Sequence, residues 1–189
     1  MLNALLTRFF RFGGYRSADD DDAVSRLYDI AVRQARHPYF YAERGVADTV
    51  DGRFDMIVLH VFLLIRRLQR QGDQGRAQAQ ALFDLTFQDM DRNLREMGVG
   101  DLGVGRRVKD MARAFYGRAD AYGRALDAGY RTDLGAALRR NLLVGVGDEG
   151  RSLDLADYVR RADQDLAAIE DSALVAGMAA FPAQPGDPA

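Results

Sequence analysis

The longest apolar run in the chain, Met56 to Ile65 (MIVLHVFLLI), is ten residues long and is closed off by Arg66, Arg67 and Arg70. A helix that crosses a bilayer needs about 20 such residues. The run is therefore expected to be a buried core helix and not a membrane span. Phe54, Ile57, Val58, Val61, Phe62, Ile65 and Leu68 recur at helical spacing through it. No period-two alternation long enough for a sheet occurs elsewhere. The expected fold class is all-α, a single compact domain of about six helices with short connections.

The flanking segments supply the other helices. Asp19 to Asp22 stand where carboxylates favour a helix start, ahead of Val24, Leu27, Tyr28, Ala31 and Ala35. His37 precedes Pro38 and resists the α region, so this helix ends by about residue 36. Pro38 to Arg44 fits a short helix with Pro first and Gly45 after its end. Further helices are expected over about Arg76–Met97, Arg106–Ala128, Asp133–Leu143, and from Ser152 through Ile169. The stretch Gly98 to Gly105 is expected to be loop. The domain organisation follows: an N-terminal amphipathic segment over 1–18, a helical domain over 19–175, and a flexible, disordered tail over 176–189 carrying Pro182, Pro185 and Pro188.

Composition narrows the chemistry. The chain of 189 residues has no cysteine and two histidines, His37 and His60, which removes disulfides, thiol catalysis and Cys-built metal sites. No metal or other cofactor is implied, and no catalytic residue is assigned. A net charge of -2 argues against a general nucleic-acid coat, so DNA is not an expected partner. All basic residues but Lys109 are arginine, which offers planar, bidentate pairing that lysine cannot.

Several motifs invite a chemical reading. Gly98, Gly100 and Gly103 match G-x-G-x-x-G, as do Gly145, Gly147 and Gly150, but each loop follows a helical pattern where a dinucleotide site needs a strand. Helix-to-helix turns are the better reading. Asp89 and Asp91 lie two apart on a helix and point different ways; with Asp84 and Asn93 they fit a solvated face. His60 fits a satisfied core histidine, and His37 a helix-end residue meeting free carbonyls. Leu2, Leu5, Leu6, Phe9 and Phe12 form a short apolar face with Arg8, Arg11 and Arg16 beside it. That suits contact with an anionic membrane surface or docking on the body of the protein. Arg106, Arg107, Lys109, Arg113 and Arg118 set five bases against Asp110, with Phe115 and Tyr116 among them. Two readings stand: a solvated face paired with Asp89, Asp91 and Glu96, or a docking patch for RNA phosphate or an anionic membrane.

Two blocks carry a family likeness: LYDIAVRQARHPYFYAERGVADTVDGRFDMIVLHVFLLIRRL, Leu27 to Leu68, and LFDLTFQDMDRNLREMGVGDLGVGRRVKDMARAFYGRADAY, Leu82 to Tyr122. They resemble the ubiquinol-cytochrome c chaperone family over roughly residues 23–145. The resemblance implies an all-helical, non-enzymatic assembly factor for the cytochrome bc1 complex, with newly made cytochrome b as its protein client. It also implies a bacterial form at the cytoplasmic face of the inner membrane. A ribosome or a small protein is a further candidate partner, and the alternative is a general membrane-surface or ribosome-docking adaptor. Candidate partner contacts are Asp89, Asp91, Glu96, Arg106, Arg107, Lys109, Phe115 and Tyr116. Candidate membrane contacts are Leu2, Leu5, Leu6, Phe9 and Phe12.

Overall fold

The computed structural model describes residues 18–143, 145 and 148–186. Among these, eight helices follow in order: α1 (Ala18–Ala35), α2 (Pro38–Ala42), α3 (Val50–Leu68), α4 (Gly72–Glu96), α5 (Asp101–Ala128), α6 (Arg131–Asn141), α7 (Glu149–Ala168) and α8 (Asp171–Val175). The described residues contain no strand. Six helices are long, as expected, and α2 and α8 are five residues each.

α3 is the axis of the fold. It packs against α1, α4, α5 and α7, and every residue from Met56 to Ile65 is buried. Burying an aliphatic side chain such as Leu59, Leu63 or Leu64 stabilises by about 2–3 kcal/mol, so this one run anchors the core. The polar member, His60, is fully satisfied. Its Nδ1 lies 2.8 Å from the Met56 carbonyl and its Nε2 lies 2.7 Å from the Tyr158 hydroxyl. The carbonyl can only accept, so Nδ1–H donates and Nε2 accepts from tyrosine. Burial holds the His60 pKa down to about 4, so the ring is neutral at pH 7. It is the core histidine that its place in the run suggests.

Helix starts fall earlier than apolar spacing alone places them, because the first turn is set by polar caps and not by core contacts. α3 begins at Val50, with Thr49 Oγ1 accepting from the Gly52 N–H at 3.1 Å. α7 begins at Glu149 behind Asp148, which accepts from the Gly150 N–H at 2.8 Å. Gly52 serves a second purpose: a Cβ there would stand 2.0 Å from the Ala47 carbonyl oxygen. His37 corrects its expected role. Its Nδ1 accepts from the Tyr39 N–H at 3.2 Å, so the ring caps the start of α2.

The chain after Val175, assigned by sequence to a flexible tail, contacts the body as far as Gln184. Phe181 sets its ring edge-on to His60 at 4.8 Å. Gln34 donates to the Pro182 carbonyl at 3.2 Å, and Arg26 to the Ala176 carbonyl at 2.9 Å. Gly177 has a φ of +81°, and a Cβ there would stand 2.7 Å from the Ala23 carbonyl oxygen.

Candidate functional site

The second sequence block folds into a hairpin of α4 and α5, joined by four residues. Gly98, with φ +82°, ends α4. Its N–H bonds to the Arg95 carbonyl at 2.9 Å, and the Val99 N–H bonds to the Leu94 carbonyl at 3.1 Å. These are the two bonds of a Schellman stop. Gly100 then caps α5. At Gly103 a Cβ would meet the Val99 side chain at 3.0 Å, so the glycine lets the turn fold close to the new helix. The glycines expected to keep Gly98 to Gly105 as loop thus build a tight turn, and α5 starts at Asp101. The first G-x-G-x-x-G lies between two helices, with no strand to present a phosphate site. In the second, Gly147 lies outside the described residues.

Aromatic rings lock the hairpin. Phe83 contacts Phe115 at 5.3 Å and Tyr116 at 5.2 Å between ring centroids, and Phe87 contacts Phe115 at 6.0 Å. The two helices touch at their middles and are joined by a turn of only four residues, so they are antiparallel neighbours. Phe115 is only 2% exposed; its candidacy as a partner contact is corrected to core packing. Tyr116 is half-buried, and burial pushes its phenol pKa up. Outside the rings, an open groove runs between the helices. It is lined by Asp84, Phe87, Gln88, Asp91, Arg92 and Arg95 of α4 and by Val108 of α5.

The acidic candidates separate. Asp89 accepts from the Tyr28 hydroxyl at 2.9 Å and from Asn93 Nδ2 at 3.0 Å, tying α4 to α1. Burial, with Asp89 beside it, pushes the Tyr28 phenol far up. Asp91 points elsewhere, to Arg95 at 2.6 Å, and Arg95 also holds Asp101 across the turn. Glu96 is exposed at the end of α4. Among the described residues none of these carboxylates forms an ion pair with the basic stretch of α5, so the face is solvated without the expected pairing. No group of three His, Cys, Asp or Glu among the described residues is placed to hold a metal.

The basic candidates separate as well. Arg118 belongs to the interior, 2.8 Å from Asp55 of α3. Beside that pair the Tyr122 hydroxyl and Arg118 Nε are buried without a hydrogen-bond partner. Burial raises the Asp55 pKa to about 6 against the pull of Arg118. Arg113 pairs with Asp110 at 2.8 Å. Arg106, Arg107 and Lys109 are exposed and form no ion pair among the described residues. The same end of the hairpin exposes two apolar side chains that the sequence reading passed over, Leu102 at 95% and Met97 at 53%. The signal for Leu102 was available: it is out of phase with Val104, Val108, Met111 and Phe115. The candidate membrane contacts Leu2, Leu5, Leu6, Phe9 and Phe12 lie outside the described residues.

What stands is an all-helical body with His60 locked in the core and a charged hairpin on its surface. The chain belongs to the ubiquinol-cytochrome C chaperone family, whose model matches residues 42–181. The match begins later than the resemblance and reaches further, taking in α7, α8 and Phe181. Among relatives, ubiquinol-cytochrome-c reductase complex assembly factor 1 of Xenopus laevis is 26% identical over 154 residues, covering 81% of this chain and 76% of that protein. The Homo sapiens factor of that name is 26% identical over 148 residues, covering 76% of this chain and 48% of that protein. The chain thus spans about half the length of the human relative, and of the Mus musculus one. The crystal structure of the Cbp3 homolog from Brucella abortus is similar throughout, with 38% identity, 97% of each chain covered and a TM-score of 0.81.

Proposed function

We propose that the protein is an assembly chaperone for the cytochrome bc1 complex that holds newly made cytochrome b at the membrane. Membership of the chaperone family carries the reading. The α4–α5 hairpin supports it, because the block of strongest family resemblance is also the region where charges and apolar groups are left facing outward. Asp91 in the groove and Glu96, Arg106, Arg107 and Lys109 at the open end are the proposed client contacts. Asp89 holds the hairpin to α1, and Tyr116 packs on Phe83. No helix among the described residues is long and apolar enough to cross a membrane. The proposed place of contact with the client is the inner membrane's cytoplasmic face.

Deleting the gene and recording reduced-minus-oxidised spectra of the membranes tests this. Loss of the b-type and c-type signals of the complex is expected; an unchanged complex under every growth condition refutes it. Photo-crosslinkers placed at Asp91, Arg106 and Lys109 are expected to capture cytochrome b, and capture from α6 or α7 alone would move the client surface elsewhere. The three exposed cations also support the second reading, an adaptor that docks on a membrane surface or ribosome without a dedicated bc1 role. Normal bc1 levels in the deletion strain, with membrane association lost on replacing Arg106 and Arg107, would favour it.

A further inference from the structure

The open end of the α4–α5 hairpin combines features that neither folding nor the groove uses. Leu102, Arg106, Lys109 and Arg113 recur at steps of four, three and four, which places them on one outward stripe of α5, about 16 Å long. All four are exposed. Leu102 leads at the very tip with 95% of its surface free, and Met97 stands across the turn at 53%. Like charges at helical spacing, as at Arg106 with Lys109 and Lys109 with Arg113, oppose helix formation, so the array is not explained by stability. Of the acids nearest in sequence, Asp101 is held by Arg95 outside the stripe and Asp110 by Arg113 within it, which leaves Arg106 and Lys109 as the stripe's cations with no ion pair among the described residues.

We propose that this tip is a docking surface for an anionic lipid bilayer, with Arg106 and Lys109 of the stripe facing lipid phosphates, Arg107 flanking them, and Leu102 and Met97 entering the headgroup boundary. Charge complementarity selects the anion, since unpaired cations near a negatively charged leaflet each raise binding about fivefold. The exposed aliphatic groups select lipid over RNA: a phosphate backbone offers Leu102 nothing to bury against, whereas a bilayer does. The hydrogen-bonded turn at Gly98 to Gly103 places Leu102 ahead of the cations. The inference deepens the reading of a chaperone working at the membrane by naming the surface that meets it.

Co-sedimentation of the full chain with vesicles tests it. Binding is expected to phosphatidylcholine vesicles containing phosphatidylglycerol, and only weakly to phosphatidylcholine alone, with a decline as salt shortens the screening length. The variant Arg106→Gln/Arg107→Gln/Lys109→Gln is expected to lose at least tenfold in partitioning, and Leu102→Gln a few-fold, with unchanged helical circular dichroism. Failure of the native chain to bind, equal binding to both vesicles, or full binding by the triple variant overturns the proposal, the last shifting contact to residues 1–17. Loss by the triple variant of binding to a labelled single-stranded RNA, with vesicle binding intact, overturns it in favour of RNA. The vesicle result does not depend on bc1 levels in the deletion strain, so either reading can fail alone.

Discussion

Two helices of this molecule treat the same kinds of side chain in opposite ways. On α3 each buried or half-buried polar group has a partner. Arg66 reaches Asp163 at 3.0 Å and Asp127 at 2.7 Å. Arg67 donates to the Leu166 and Ile169 carbonyls and to Asp171, and His60 is bonded through both nitrogens. On the first turns of α5, Arg106, Arg107 and Lys109 extend into solvent without an ion pair among the described residues. Guanidinium groups that close the end of α7 are structural cement; those at the hairpin tip are free to meet another molecule. The difference teaches that function here is to be sought where charge is left over, not where it is buried.

The comparison breaks first if Arg67 can be removed cheaply. Arg67→Ala takes a charged donor from the Leu166 and Ile169 carbonyls at the end of α7 and unties Asp171 from α3. A loss of about 4 kcal/mol in urea-unfolding stability is expected, and a loss under about 1 kcal/mol would make Arg67 no different from the tip cations.

Acid tests the histidine. The folded pKa of His60 is lowered to about 4 from 6.5, chiefly by burial. The unfolded chain therefore binds a proton across that window that the folded chain refuses, and stability falls as pH drops. The expected loss from His60 is about 3 kcal/mol between pH 7.5 and pH 4. Asp55 acts in the opposite sense. Its folded pKa is raised from 3.8 to about 6, so its cost is present above pH 6 and is relieved as pH falls through that window. Asp55→Asn removes the opposing slope, and the variant is expected to lose stability on acidification more steeply than the native chain. A parallel pair of pH curves would show that Asp55 does not titrate in the window.

The next effect lies inside the basic stretch itself. Arg118→Gln leaves Asp55 of α3 without its counter-ion in a largely buried position, and about 2 kcal/mol of stability is expected to go, read by the same urea titration. Sequence grouped Arg118 with Arg106 because the two lie close along the chain. Their duties differ because Arg118 follows Phe115 by three and precedes Tyr122 by four, which puts it on the buried face. That phase was legible; its partner, 63 residues away, was not, since nothing local marks Asp55. The all-helical class, the buried run of α3 and the helix stop at Gly98 were legible for a related reason: each depends on spacing within a turn or two. The start of α5 at Asp101 was not, because three glycines that mark loop in isolation are here used for a helix stop, a cap and a close approach. The outward tip at Leu102 was hidden by the same reading, since its phase against Val104, Val108 and Phe115 means nothing while Gly98 to Gly105 is taken as loop.

The smallest effect is the sharpest test of the contrast. Replacing Arg106, Arg107 and Lys109 together by Gln removes three charges, yet no ion pair among the described residues is broken. Surface changes of this kind stay within about 0.5 kcal/mol. The sign, however, is informative. Arg106 with Lys109, and Lys109 with Arg113, are like-charge pairs at helical spacing, each costing about 0.2–0.5 kcal/mol at low salt. The triple variant is therefore expected to be slightly more stable than the native chain in dilute buffer, and the gain to fade as salt screens the repulsion. Thermal unfolding at two ionic strengths reads both. A destabilised variant would mean that these cations have partners in the folded protein, and the division between the two helices would dissolve. A salt-sensitive gain would mean that the chain carries at its hairpin tip an array that weakens its own helix, which folding alone gives no reason to keep.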